Sequence, residues 1–142
     1  MGGTPAFAPS LLVFNEVMRR WAERGITVER VHGHVMRLHE RFLDGLKDRA
    51  ESASDDDSNA GGIRLSSLHS LLPASCRSHT LVFDQPSAEA AKTVVDVLRK
   101  SHGIEIDSRK TFVRVGFGYN HHPEEVDRLL RAVGCFSTPA QT

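Results

Sequence analysis

The chain has 142 residues, close to the size of one ordinary domain of about 100–150 residues. Its 18 basic side chains balance 18 acidic ones, and 39% of residues are apolar, so neither a polyanion-binding surface nor wholesale disorder is indicated and no nucleic-acid partner is expected. No run approaches the ~18 apolar residues that span a bilayer, and Met1 to Pro9 has no basic leader followed by an apolar stretch, so a soluble, cytoplasmic protein without a membrane partner is expected. The two cysteines, Cys76 and Cys135, are too sparse for a disulfide scaffold and show no metal-ligand spacing.

Helical periodicity starts after Pro9. Leu11, Leu12, Phe14, Val17, Met18 and Trp21 recur at three- and four-residue steps behind a Ser10 cap, and Gly25 ends the run. A second helix is predicted from Val28 to about Arg49, capped by Thr27, with Val31, Val35, Leu38, Phe42 and Leu46 on one side. Residues 51–62 are rich in Ser, Asp, Asn, Ala and Gly and read as a flexible insertion loop. Between Ile63 and Arg77 the leucines fit either a short helix or a connection packed on the core.

The second half has a clearer rhythm. His79–Asp84 reads as a strand closed by Gln85 and Pro86. Ser87 caps a helix that presents Ala91, Val94, Val95 and Leu98 and stops at Gly103. Two β-rich runs follow, Ile104–Asp107 and Thr111–Phe117, joined through Ser108, Arg109 and Lys110 as a hairpin. Pro123 opens a final helix with Glu124 and Glu125 in its first turn, where the helix dipole favours negative charge. The expected fold is α+β: a small antiparallel or mixed sheet with helices on one face, preceded by two long helices, in a single domain over residues 1–142.

Arg114 is the residue of most chemical interest. Strict alternation sends it to the face opposite Val113 and Val115, where the planar guanidinium suits a carboxylate clamp; an arginine on an ordinary solvated sheet face fits the same spacing. Asp107 and Arg109 flank the predicted turn, as solvated groups or a weak surface ion pair. Tyr119, Asn120, His121 and His122 precede the last helix, whose free backbone groups Asn120 or a histidine can satisfy. The adjacent His121 and His122, and His32 and His34 two apart on a helix, lack metal-site spacing, so no metal is expected. No nucleophile elbow or phosphate-binding glycine loop occurs, and Gly116-Phe117-Gly118 lacks a third glycine. No catalytic residue is assigned within the chain.

In combination these segments are more specific. Gly3-Thr4-Pro5 opens a long amphipathic helix. Later come Ser78-His79 before a strand, Gly103-Ile104-Glu105-Ile106-Asp107-Ser108-Arg109, Val113-Arg114-Val115-Gly116, Tyr119-Asn120 and Glu125-Val126-Asp127-Arg128-Leu129. Their order and spacing resemble the C-terminal small domain of class V aminotransferase and kynureninase-like fold-type I enzymes, which use pyridoxal phosphate. The likeness covers nearly the whole chain apart from residues 51–62. It implies that Arg114 binds the α-carboxylate of an amino-acid substrate and that Thr4 contacts the cofactor phosphate of the neighbouring subunit of a homodimer. It also sets Tyr119 and Asn120 on the substrate side. The Schiff-base lysine of such enzymes lies in a large domain, and Lys47, Lys92, Lys100 and Lys110 have no matching context, so pyridoxal phosphate is expected only in the complete enzyme. The alternative is a stand-alone, non-catalytic interaction or dimerisation module that uses the apolar stripe of its first helix.

Overall fold

A computed structural model describes residues 8–52 and 62–134. The backbone divides into two compact units, Met1–Gly33 and His34–Thr142.

The first unit holds helix α1 (Ala8–Glu23) and the opening turns of helix α2 (Val28–Ser52). The amphipathic helix expected from sequence periodicity is present, but it begins at Ala8, so Ser10 lies inside α1 and is not its cap; the polar side of α1 is laced by ion pairs. Arg19 and Arg20 both bond the Glu16 carboxylate, at 2.7 and 2.8 Å. The Arg19 hydrogen bond, followed by that from Arg20, holds the Glu16 carboxyl down at about 2, against an ordinary 4.5. Between the helices, the Ile26 amide donates to the Trp21 carbonyl at 2.8 Å, and Thr27 Oγ1 accepts from the Arg30 amide at 3.2 Å as the expected cap of α2.

The second unit is a two-layer α+β fold. Strands β1 (Thr80–Asp84), β2 (Asp107–Arg109) and β3 (Phe112–Gly116) form one sheet in the order β1-β3-β2, antiparallel throughout. The central strand β3 pairs on both sides, with Leu81 opposite Val115 and Phe83 opposite Val113. Val113 and Val115 are buried with Leu81 and Phe83 beneath the apolar sides of α2, α3 (Ala88–His102) and α4 (Pro123–Gly134). Phe42 of α2 meets the ring of Phe83 edge-on at 6.1 Å and that of Phe117 at 5.7 Å, which ties the helix to both sides of the strand pair.

Local chemistry explains the element ends. Ser87 Oγ accepts from the Ala90 amide at 3.1 Å, the N-cap expected from sequence. Gly103 closes α3 in the left-handed region at φ 61°, and the Gly103 and Ile104 amides donate to Arg99 and Leu98 carbonyls. At the start of α4 the Glu125 carboxylate accepts from the His122 amide at 2.8 Å, one half of a capping box. Gly45 lets α2 approach α4 closely: a Cβ there would sit 2.4 Å from Leu130 Cδ1.

Two further expectations need correction. Helix α2 continues to Ser52, so Glu51 and Ser52 belong to it and not to a loop, while residues 53–61 lie outside the described residues. Ser52 Oγ turns back onto the Asp48 carbonyl at 2.8 Å, which lets a polar residue extend the last turn. The first hairpin strand is Asp107–Arg109, not Ile104–Asp107, because the Ile104 amide is already used in closing α3. The hairpin turn falls at Lys110 and Thr111, with Lys110 at φ 55°. The ambiguous stretch after Ile63 is a connection with two short 3₁₀ turns, Leu65–Ser67 and Ala74–Cys76.

Buried polar groups pin this connection to the sheet. The Gln85 side chain acts as a substitute backbone partner: its Oε1 accepts from the Gly62 amide and its Nε2 donates to the Gly62 carbonyl, both at 2.9 Å. Gly62 leads directly into Ile63, a fully buried core residue.

Phe42 touches both aromatic partners and is wholly enclosed, so Phe42→Ala should lower stability by about 3–5 kcal/mol, read as a lower urea midpoint with unchanged slope.

Candidate functional site

The face of the sheet turned away from the helices carries the candidate site. Because Val113 and Val115 point into the core, Arg114 emerges opposite them in the middle of the sheet. Its registered neighbours are Val82 on β1 and Asp107 on β2. Gly116 follows on the same face opposite Thr80, and its lack of a side chain leaves room beside the guanidinium. The result is an open cleft of about 490 Å³ lined by His79, Thr80, Glu105, Ile106, Asp107, Arg114 and Gly116.

Charge in the cleft is arranged around one cation. Arg114 donates through Nη2 to Asp107 Oδ2, while its Nε is buried without a hydrogen-bond partner. This contact is less complete than the Arg41 and Asp127 pair elsewhere in the same unit, where Nε and Nη2 bond both carboxylate oxygens at 2.7 and 2.8 Å. The Arg41 hydrogen bond depresses the Asp127 carboxyl below its usual range. Glu105, at the cleft rim, is engaged by Arg99 at 2.8 Å. His79 is an exposed side chain at the opposite rim, and its carbonyl accepts from the Phe117 amide at 2.9 Å. Behind that carbonyl the fully buried ring of His39 places Nε2 at 3.3 Å and packs on Phe117 at 5.4 Å.

The structure redistributes the residues singled out in the sequence. Asp107 does not pair with Arg109; it lies directly across the ladder from Arg114, and Arg109 lies opposite Phe112. Tyr119 and Asn120 come after the end of β3 and do not line the cleft. The Tyr119 ring meets His34 edge-on at 5.4 Å, and Asn120 is exposed. His121 Nδ1 accepts from the Gly118 amide at 2.8 Å, and its carbonyl lies 2.8 Å from His34 Nε2, so His121 ties the turn before α4 to α2. Among the described residues, no three His, Cys, Asp or Glu side chains gather as metal ligands. Cys76 is exposed with a free thiol, and Thr4 and Cys135 lie outside the described residues.

The described residues do not fit a cradle for pyridoxal phosphate. Lys47, Lys92, Lys100 and Lys110 are all exposed on helices or at a turn, and none borders the cleft. What the cleft can do chemically is hold an anion through Arg114, with the Thr80 hydroxyl and the His79 imidazole within the same lining.

Two clusters escape the sequence reading. His69 Nδ1 contacts Asp84 at 3.0 Å and its ring stacks edge-on against Phe112 at 5.1 Å, so the connection before β1 reaches the outer sheet face. His39 shares the face of α2 that carries Val35, Phe42 and Leu46, and that four-residue spacing is the signal available for its burial. Comparison with protein-family models, curated proteins and solved structures finds no match to this chain. The functional reading is therefore carried by the residues and their geometry.

Proposed function

We propose that this chain is the substrate-side, C-terminal domain of a pyridoxal-phosphate enzyme acting on an amino acid, of the class V aminotransferase or kynureninase-like type, with Arg114 as the α-carboxylate clamp. The single observation that supports it most is the position of Arg114. A guanidinium rises from the central strand of the sheet, between two fully buried valines, into an open cleft. That setting fixes the direction of the cation while leaving its outer face reachable, which is what recognition of a small carboxylate needs.

In this reading the cofactor is held by a large domain outside this chain, which supplies the lysine and the electron-withdrawing chemistry. The complete enzyme is a homodimer in which Thr4 reaches the cofactor phosphate of the neighbouring subunit. Tyr119 and Asn120 belong to the substrate side of the assembled site, beyond the end of β3. This chain's own contribution is to bind and orient the substrate: Arg114 draws the carboxylate into the cleft and sets the angle from which the rest of the molecule extends.

Arg114→Ala in the complete enzyme should raise the amino-acid KM roughly 10- to 100-fold while leaving cofactor binding nearly unchanged, as expected for loss of about 1.5–3 kcal/mol from a charged hydrogen bond. Unchanged KM and kcat would remove Arg114 from the substrate site.

A second reading, a stand-alone interaction module, is favoured by one feature of α1. Described by itself, the helix leaves Leu12 at 69% and Phe14 at 59% exposure, with Leu11, Val13, Val17, Met18 and Trp21 also open. In the enzyme reading this stripe packs on the large domain, so the 142-residue chain alone should self-associate on sedimentation. A sharp thermal transition of a monomer, independent of concentration, would instead favour the module.

A further inference from the structure

The Asp107 and Arg114 contact has a form that a purely structural ion pair does not need. Asp107 sits on β2, a three-residue edge strand, whereas Arg114 sits on the central strand with Val113 and Val115 locked in the core on either side. One partner is therefore anchored and the other is carried on the edge of the sheet. Only Nη2 of the arginine reaches the aspartate, and Nε is left without a partner. The Arg41 and Asp127 pair, also partly exposed, shows that the same unit builds a full two-pronged bridge elsewhere. Both side chains of the cleft pair are also partly open, 42% for Arg114 and 58% for Asp107, and ion pairs this exposed hold weakly.

We propose that Asp107 is a built-in substitute for the ligand's carboxylate. In the unliganded chain it holds the guanidinium of Arg114 in position across the cleft. A small monocarboxylate then displaces it: Asp107 turns outward to solvent and uncovers the buried Nε, and the ligand takes Nη2 and Nε together as a two-pronged pair. This rests on Arg114 being a carboxylate clamp and adds a specificity device to it. An incoming anion must outcompete an aspartate already in place, so a ligand that makes only one hydrogen bond to Arg114 gains little, and one that makes two is selected. Glu105 on the same rim is held by Arg99 at 2.8 Å, so Asp107 is the carboxylate that competes with the ligand for Arg114.

The test uses the whole 142-residue chain and acetate as the probe, at constant ionic strength with chloride as the reference anion. Binding is followed through the Arg114 Nε–H resonance. Asp107→Asn is expected to bind acetate roughly 2- to 5-fold more tightly than the unmodified chain, the range set by releasing an exposed ion pair. In the unmodified chain the same titration should move the Asp107 carboxyl carbon resonance toward that of a solvated aspartate, a readout that does not depend on the variant folding. Acetate affinity unchanged or weakened in Asp107→Asn, or an Asp107 resonance that stays still while Arg114 responds, would make Asp107 a fixed brace and overturn the proposal. Those results would leave Arg114 as a carboxylate site. An Arg114 signal indifferent to acetate in both proteins would overturn the clamp itself and this inference with it.

Discussion

Strand β3 is paired on both edges, and its alternation sets what each face of the sheet contains. Val113 and Val115 enter the core between Leu81 and Phe83 on one side and the helices above, so Arg114 has no choice but the opposite face. A slip of one residue would bury the guanidinium and expose both valines, at the cost of an unpaired charge in an apolar core. Register is therefore the constraint that couples fold and site. It is held at one end by the Lys110 turn and the hydrogen bond from the Gln85 amide to the Thr111 carbonyl, at 2.8 Å. At the other end the Phe117 amide bonds the His79 carbonyl, against which the buried His39 is set. The same backbone contacts that align the strands also define the rim of the cleft.

Much of this order is legible in the sequence. Ser87 and Gly103 bound α3 through their own chemistry, a side-chain acceptor and a tolerance of positive φ, and both act where the sequence puts them. The face that Arg114 occupies follows from alternation alone. The hairpin was misplaced for a physical reason: Ile104 and Ile106 look like strand residues, yet the Ile104 amide is spent on the helix end and both side chains are only partly buried against the core. Nothing marked the turn either, since a lysine takes the left-handed position that glycine or asparagine usually signals. The Asp107 and Arg114 pair was hidden for the same reason, because a hairpin turn placed around Ser108, Arg109 and Lys110 sets Asp107 beside Arg109 rather than across from Arg114. Gln85 reads as a strand terminator, and its role as a surrogate backbone partner for Gly62 depends on a contact 23 residues away.

The distribution of chemistry within the chain is uneven, and that unevenness shapes the functional account. One anchored cation, Arg114, faces an open cleft, while every lysine is exposed and none lines that cleft. Among the described residues, the cleft offers one guanidinium beside the side chains of His79, Thr80, Glu105 and Asp107. Helix α1 adds an apolar stripe that its own unit does not cover. In the proposed enzyme, these two features are the parts that would meet another surface: the cleft as one wall of the site and the helix as a docking face.

The most direct test is to purify the protein from its native source, treat it with borohydride, and map by mass spectrometry where any pyridoxal phosphate becomes fixed. The account predicts cofactor attached to a lysine outside residues 1–142, either on the same polypeptide or on a chain that copurifies with it. A native protein of these 142 residues alone, carrying no cofactor and no partner chain, would contradict it.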